Sequence, residues 1–192
     1  MVEAPCTRSD SELIAQSLRG DGSAFGALVL RHRTVAIGTA YRICGDAALA
    51  EDVAQEAFVR IWDRLSAFRP EGNFRAWLCR IAANLTIDAL RRQKPEIDLE
   101  RVPVQAPDPG PEASALQQER GEAIRAAIME LPLPTRTALI LREYEGLSYQ
   151  EIADTLDIPL GTVKSRLNDA RRRLQAGLSS FMGQEEERAS RC

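Results

Sequence analysis

The sequence predicts an all-α protein of two small helical bundles joined by a proline-rich linker, the second bundle containing a helix-turn-helix. Three observations carry that expectation. Apolar residues recur at helical spacing on both sides of residues 95–113, with almost no strand-like alternation. That stretch, PEIDLERVPVQAPDPGPEA, contains Pro95, Pro103, Pro107, Pro109 and Pro111 without any helical period, so it reads as an extended, acidic, mobile tether. Residues 147–174 read as two short helices around a tight turn. A chain of 192 residues has room for two small cores. The expected units are residues 9–94 and 114–180.

Each element has a local reason. Residues 9–19, SDSELIAQSLR, open on a cap and place Leu13, Ile14 and Leu18 on one face. Residues 23–44 form a longer helix with Phe25, Leu28, Val29, Val35, Ile37 and Tyr41, broken at Gly45 and Asp46. A third helix runs from Ala47 to Leu65, with Leu49, Val53, Ala57, Ile61 and Leu65 as its inner stripe. Its other side carries Glu51, Asp52, Gln55, Glu56, Val59, Trp62 and Asp63. An acidic face is commonly just solvated, but an aromatic residue among the charges is what an interface core looks like.

The fourth helix spans Phe74 to Lys94 and ends at Pro95. Phe74, Trp77, Leu78, Ile81 and Leu85 face inward, whereas Arg80, Asn84, Asp88 and Arg91 form a polar stripe, with Arg75 and Arg92 nearby. The preceding loop, LSAFRPEGN, brings Phe68 and Asn73 beside that stripe. Arginines next to an aromatic ring and an amide suit single-stranded nucleic acid, where bases stack and phosphates are neutralised. Phe68 and Trp77 fit a core equally well. Beyond the linker, residues 114–130 and 134–144 make two more helices.

In residues 147–174, Ser148 and Glu151 form a capping box, and Ile152, Ala153 and Leu156 give the short helix its apolar face. The chain turns through Asp157 and Ile158, and Pro159 suits the first turn of the next helix. Val163, Leu167, Ala170, Leu174 and Leu178 then point inward. The opposite face holds Thr162, Ser165, Asn168, Asp169 and Arg172, flanked by Lys164, Arg166, Arg171 and Arg173. A braced helix with that polar side has the geometry of a major-groove reader. An ordinary helical hairpin with a solvated face is the plain alternative.

Charge is segregated along the chain. The formal net charge is −3, yet residues 164–173 hold five basic residues against one acid, and residues 95–123 hold seven acids against two arginines. A local basic surface is what DNA binding needs. No stretch approaches a membrane span, and the N-terminus lacks a signal peptide's apolar core. Cys6, Cys44, Cys79 and Cys192 are far apart and His32 is the single histidine, which argues against a metal site, a disulfide framework or a cofactor. His32 with Cys44 or Cys79 is the sole nucleophile–base candidate, and no local motif supports an enzyme.

Together, DVAQEAFVRIW (52–62), FRPEGNFRAWLCRIAANLTIDALRR (68–92) and LSYQEIADTLDIPLGTVKSRL (147–167) resemble the bacterial sigma factors of the extracytoplasmic-function group, built from regions 2 and 4 alone. The resemblance runs from about residue 9 to 178. It implies a cytoplasmic protein that binds core RNA polymerase through Asp52, Gln55, Glu56, Val59 and Trp62, docking on the β′ clamp, while region 4 touches the β flap. It implies recognition and opening of the −10 promoter element by Phe68, Asn73, Arg75, Arg80, Asn84, Asp88, Arg91 and Arg92. It implies reading of the −35 element by Thr162, Lys164, Ser165, Arg166, Asn168, Asp169, Arg171, Arg172 and Arg173, and control by an anti-sigma factor. Sigma factors of this kind often have aromatic or basic residues where Asn168 and Asp169 stand, so the −35 preference does not carry over. The alternative is a helix-turn-helix regulator not associated with polymerase. A response regulator, which shares the GTVKSRL signature, would need an N-terminal half that alternates strands and helices.

Overall fold

The computed structural model describes residues 8–68, 72–93 and 115–189. Among them are eight α-helices and no strand: α1 Asp10–Leu18, α2 Gly22–Cys44, α3 Ala47–Arg64, α4 Phe74–Gln93, α5 Ala115–Met129, α6 Leu133–Glu143, α7 Tyr149–Leu156 and α8 Leu160–Ala189. The linker expected over residues 95–113 lies outside the described residues.

Caps explain where the helices begin. Ser9 and Glu12 form a capping box on α1, Asp21 accepts from Ser23 and Ala24 at the start of α2, and Asp46 caps α3. Each satisfies amide groups that a helix N-terminus otherwise leaves unpaired. Gly45 ends α2 at φ 74°, the left-handed region where a side chain is penalised. Leu18, expected on the inner face of α1, is instead exposed. It sits in the last turn, where the chain is already leaving the core.

Helices α1 to α4 enclose one core, in which Leu28, Ile61 and Leu78 are fully buried and Phe74 and Leu85 nearly so. Truncating one such leucine to alanine costs about 2–5 kcal/mol. Helices α5 to α8 enclose a second core around Ile140, Leu141, Ile152, Val163 and Leu167. Arg136 is buried there too; its Nη1 donates to the Met129 carbonyl at 2.9 Å, and burial pushes its pKa down to about 10. The second core does not stop at α5: Ile43 of α2 and Cys79 and Ala83 of α4 belong to it. The two bundles are therefore packed against each other, an arrangement that helical periodicity alone does not specify.

Candidate nucleic-acid interface

The helix-turn-helix is built as its sequence requires. The Ser148 amide donates to Glu151 Oε2 at 2.7 Å, and the Glu151 amide donates back to Ser148 Oγ at 3.2 Å. Asp157 then adopts φ 51°, ψ 53°, so an aspartate takes the left-handed position that glycine usually fills at such a turn. Pro159 precedes the first turn of α8 rather than lying within it, and its carbonyl accepts from Thr162 and Val163. Val163, Leu167 and Ala170 are fully buried, while Leu174 and Leu178 are half-buried because α8 runs on past the bundle. The helix continues to Ala189, beyond the expected end of the unit at residue 180.

Burial of that stripe leaves Lys164, Ser165, Asn168, Arg171, Arg172 and Arg173 exposed on α8, with Thr162, Arg166 and Asp169 half-buried. The face is less positive than its composition implies. Asp169 Oδ1 accepts from Arg172 at 2.8 Å and Oδ2 from Arg173 at 2.8 Å. The Arg172 bond, then the Arg173 bond, hold the Asp169 carboxyl below its ordinary value. Arg171 pairs with Glu143 at 3.3 Å, and Ser165 Oγ donates back to the Thr162 carbonyl. Partial burial pushes the Arg166 pKa down.

On the first bundle, Asp52, Gln55, Glu56, Val59 and Trp62 are all exposed along one side of α3. Val59 is 60% and Trp62 45% exposed, an apolar patch among the acids of α3. Trp62 is steadied by Phe25 of α2, ring centroids 4.8 Å apart. With Gly22 and Phe58 these residues line a shallow cavity of about 350 Å³. Sequence reasoning left Phe25 in the core; its pairing with an exposed tryptophan on another helix has no local signal.

The polar residues around α4 divide. Arg80, Asp88, Arg91 and Arg92 are exposed, and Arg92 Nε turns back to the Asp88 carbonyl at 3.3 Å. Phe68 is half-buried against Phe74 and Trp77, so it is a core-edge ring and not a free stacking platform. Asn73 Oδ1 accepts from the Ala76 amide at 3.2 Å, which makes Asn73 the cap of α4. Asn84 Nδ2 donates across the domain boundary to the Thr155 carbonyl at 3.2 Å. Arg75 also reaches across, to Glu145 Oε2 at 2.8 Å. Glu145, in the turn between α6 and α7, meets Thr39 Oγ1 at 2.9 Å and Cys79 Sγ at 3.5 Å, with Arg42 at 3.7 Å.

Among the described residues, Cys44, Cys79 and His32 do not converge on a reactive centre; Cys6 and Cys192 lie outside those residues. His32 Nε2 is bound to Asp10 at 2.8 Å, and Cys44 Sγ contacts the Asp46 backbone. Burial raises the Cys44 pKa, and burial, then the Glu145 charge, push Cys79 up to about 12. Both are protonated, unreactive thiols at neutral pH. Among the described residues no group of three or more His, Cys, Asp or Glu side chains could hold a metal, and no helix is long and apolar enough to cross a membrane.

A helix-turn-helix with a basic outer face in the second bundle, beside a first bundle with an acidic-aromatic face, is the arrangement of a DNA-binding protein of transcription. Residues 28–96 match the family described as Sigma-70 region 2, and residues 121–174 match Sigma-70, region 4. The RNA polymerase sigma-H factor of Pseudomonas aeruginosa is 36% identical over 90% of this chain and 95% of its own. The ECF RNA polymerase sigma factor SigW of Bacillus subtilis is 35% identical over 86% of this chain and 94% of its own. Among solved structures, CnrH in complex with the cytosolic domain of CnrY superposes with a TM-score of 0.63 at 31% identity, covering 89% of this chain and 97% of that one. RpoE from Bartonella quintana, in complex with the anti-sigma factor NepR, gives 0.68 at 26% identity, covering 81% and 96%. The chain belongs to the extracytoplasmic-function sigma factors. It is an alternative sigma factor, a transcription-initiation protein and not an enzyme.

Proposed function

We propose that the three faces divide the work of initiation. Residues 9–94 form the unit that binds core polymerase and the −10 element, residues 95–113 connect, and residues 114–180 form the unit that reads the −35 element. Asp52, Gln55, Glu56, Val59 and Trp62 dock on the β′ clamp, with Phe25 supporting the tryptophan. Arg80, Arg91 and Arg92, with Arg75 once released from Glu145, track the −10 strand. The exposed face of α8 enters the −35 major groove, where Lys164, Arg171, Arg172 and Arg173 meet phosphate or base edges. The observation that carries this reading is the segregation on α8, with Val163, Leu167 and Ala170 fully buried and the basic side chains outside.

Two weak DNA-binding units on one chain reinforce each other through effective concentration. Extruding a base costs a few kcal/mol, which stacking returns at about 1–3 kcal/mol per base. The protein works in the cytoplasm, where core polymerase and promoter DNA are found, and an anti-sigma factor restrains it, a reading supported by the similar RpoE structure, whose partner NepR is an anti-sigma factor.

Run-off transcription with core polymerase on a genomic promoter library tests this function. Promoter-specific transcripts that require the added protein are the expected result. Failure to follow core polymerase through purification would leave the helix-turn-helix regulator as the better description.

A further inference from the structure

Glu145 is a buried acid at the contact between the two bundles. It is a carboxylate only 2% exposed, carried by the second bundle yet surrounded by groups of the first. Arg75 Nη2 donates to Oε2 at 2.8 Å, Thr39 Oγ1 lies 2.9 Å from Oε1, and Arg42 Nη1 lies 3.7 Å from Oε1. Thr39 also lies 2.9 Å from the Val35 carbonyl, so its single proton serves one oxygen at a time. Arg42 additionally lies over the Tyr144 ring, 4.6 Å from its centroid. Two arginines and a hydroxyl from α2 and α4 thus converge on one anion.

We infer that Thr39, Arg42 and Arg75 form a seat for a backbone phosphate of promoter DNA, which Glu145 occupies when the two bundles are closed on each other. The inference rests on the −10 assignment of the α4 face. Arg75 lies on the same helix as that face, and two guanidiniums with a hydroxyl are the donor set phosphate takes. Arg75 is 46% and Arg42 40% exposed, so both sit at the rim of the contact, within reach of a strand arriving from solvent. The same closure engages Asn84 through the Thr155 carbonyl. Closed, the protein therefore offers a reduced −10 surface. Opening returns the Glu145 carboxylate to water and leaves the seat vacant for phosphate. To that contact the first bundle contributes Ile43, Cys79 and Ala83, with Val35, Ala76 and Leu90 partly buried beside them, alongside the polar Thr39, Arg42 and Arg75. A contact of that polarity is of the kind domains release.

The test uses the free full-length protein and two readouts. The first is alkylation of Cys79, which is fully buried at the contact, against Cys44, which is buried within the first core, resolved by peptide mass spectrometry. The second is binding of a short, labelled single-stranded DNA of mixed sequence. Glu145→Gln should speed Cys79 alkylation about tenfold or more, the effect of losing a charged hydrogen bond. Cys44 should keep its rate and DNA binding should tighten severalfold. Adding Arg42→Ala should reverse the tightening and keep Cys79 accessible. Tyr144 is 41% exposed, so Tyr144→Ala leaves the fold intact; it removes the ring beneath Arg42 while keeping all three seat donors, and should act in the same direction as Glu145→Gln. Unchanged Cys79 rates in both variants would overturn the proposal, as would faster alkylation with no gain in DNA binding. If Arg80→Ala weakens the strand while Glu145→Gln and Tyr144→Ala do nothing, the seat is wrong and the −10 assignment stands. If no variant binds the strand, both fall.

Discussion

Asp169 sits one turn before Arg172 on the recognition helix and holds its guanidinium at 2.8 Å, while its other oxygen holds Arg173 at the same distance. Asp169 is thus a local counter-ion within the basic face. It restrains two exposed arginines and sets their direction.

Asp169→Ala should therefore tighten duplex binding without regard to sequence. If both arginines turn to phosphate, the slope of log affinity against log salt steepens by up to about 2. Arg173→Ala should matter less beside Asp169 than in the Asp169→Ala background, because the pair is coupled. Fluorescence anisotropy across a salt series measures both. An unchanged slope in Asp169→Ala would place these arginines off the DNA.

Reversing charge on the α3 face should abolish polymerase binding at little cost to the fold. Asp52 is exposed on the outer side of α3, and the exposed Glu56–Arg60 pair at 2.6 Å is worth only about 0.3–0.5 kcal/mol. Asp52→Arg with Glu56→Arg is expected to leave the thermal midpoint near wild type and to lose core polymerase in a pull-down. Phe25→Ala should weaken the same interaction through Trp62.

Asn73 combines a structural role with a proposed reading role, and the two separate. Asn73→Ala removes the cap of α4 and should destabilise the fold by about 1 kcal/mol in urea titrations. Asn73→Ser keeps an acceptor at that position and should recover most of the stability. If Asn73 also reads an unpaired base, Asn73→Ser still forms few open complexes on a matched duplex by permanganate footprinting. A template already mismatched across the −10 region should then rescue it, since the unpairing cost is met beforehand.

Alkaline pH should loosen the contact between the bundles. Burial and the Glu145 charge raise Cys79 from 9.0 to about 12. A thiol whose folded pKa is raised contributes stability that is present below 9.0 and is lost as pH climbs towards about 12, because the unfolded chain ionises first. Urea midpoints on either side of pH 9.0 should fall more steeply for wild type than for Cys79→Ala.

Asp157 offers a local test of the turn. Its left-handed φ of 51° is one that glycine adopts freely and a β-branched residue does not. Asp157→Gly should be neutral or slightly stabilising, and Asp157→Val should cost about 1–2 kcal/mol by denaturant titration.

What could be read from the sequence was local. The spacing of Val53, Ala57 and Ile61, the Ser148–Glu151 box and the breaks at Gly45 and Asp157 each act within a few residues, and each helix lies close to where they place it. The exposed faces follow, because an amphipathic helix that buries one stripe must present the other. Even the Asp169 pairing lies within one turn of helix and was open to inference from spacing. Tertiary structure alone decided that Phe68 packs on Trp77 and that Phe25 props Trp62. It alone brought Glu145 to Thr39 and Arg75, across separations of 106 and 70 residues. Contacts at that range depend on how whole helices dock, and docking follows the shape of two assembled cores, which no window of sequence contains.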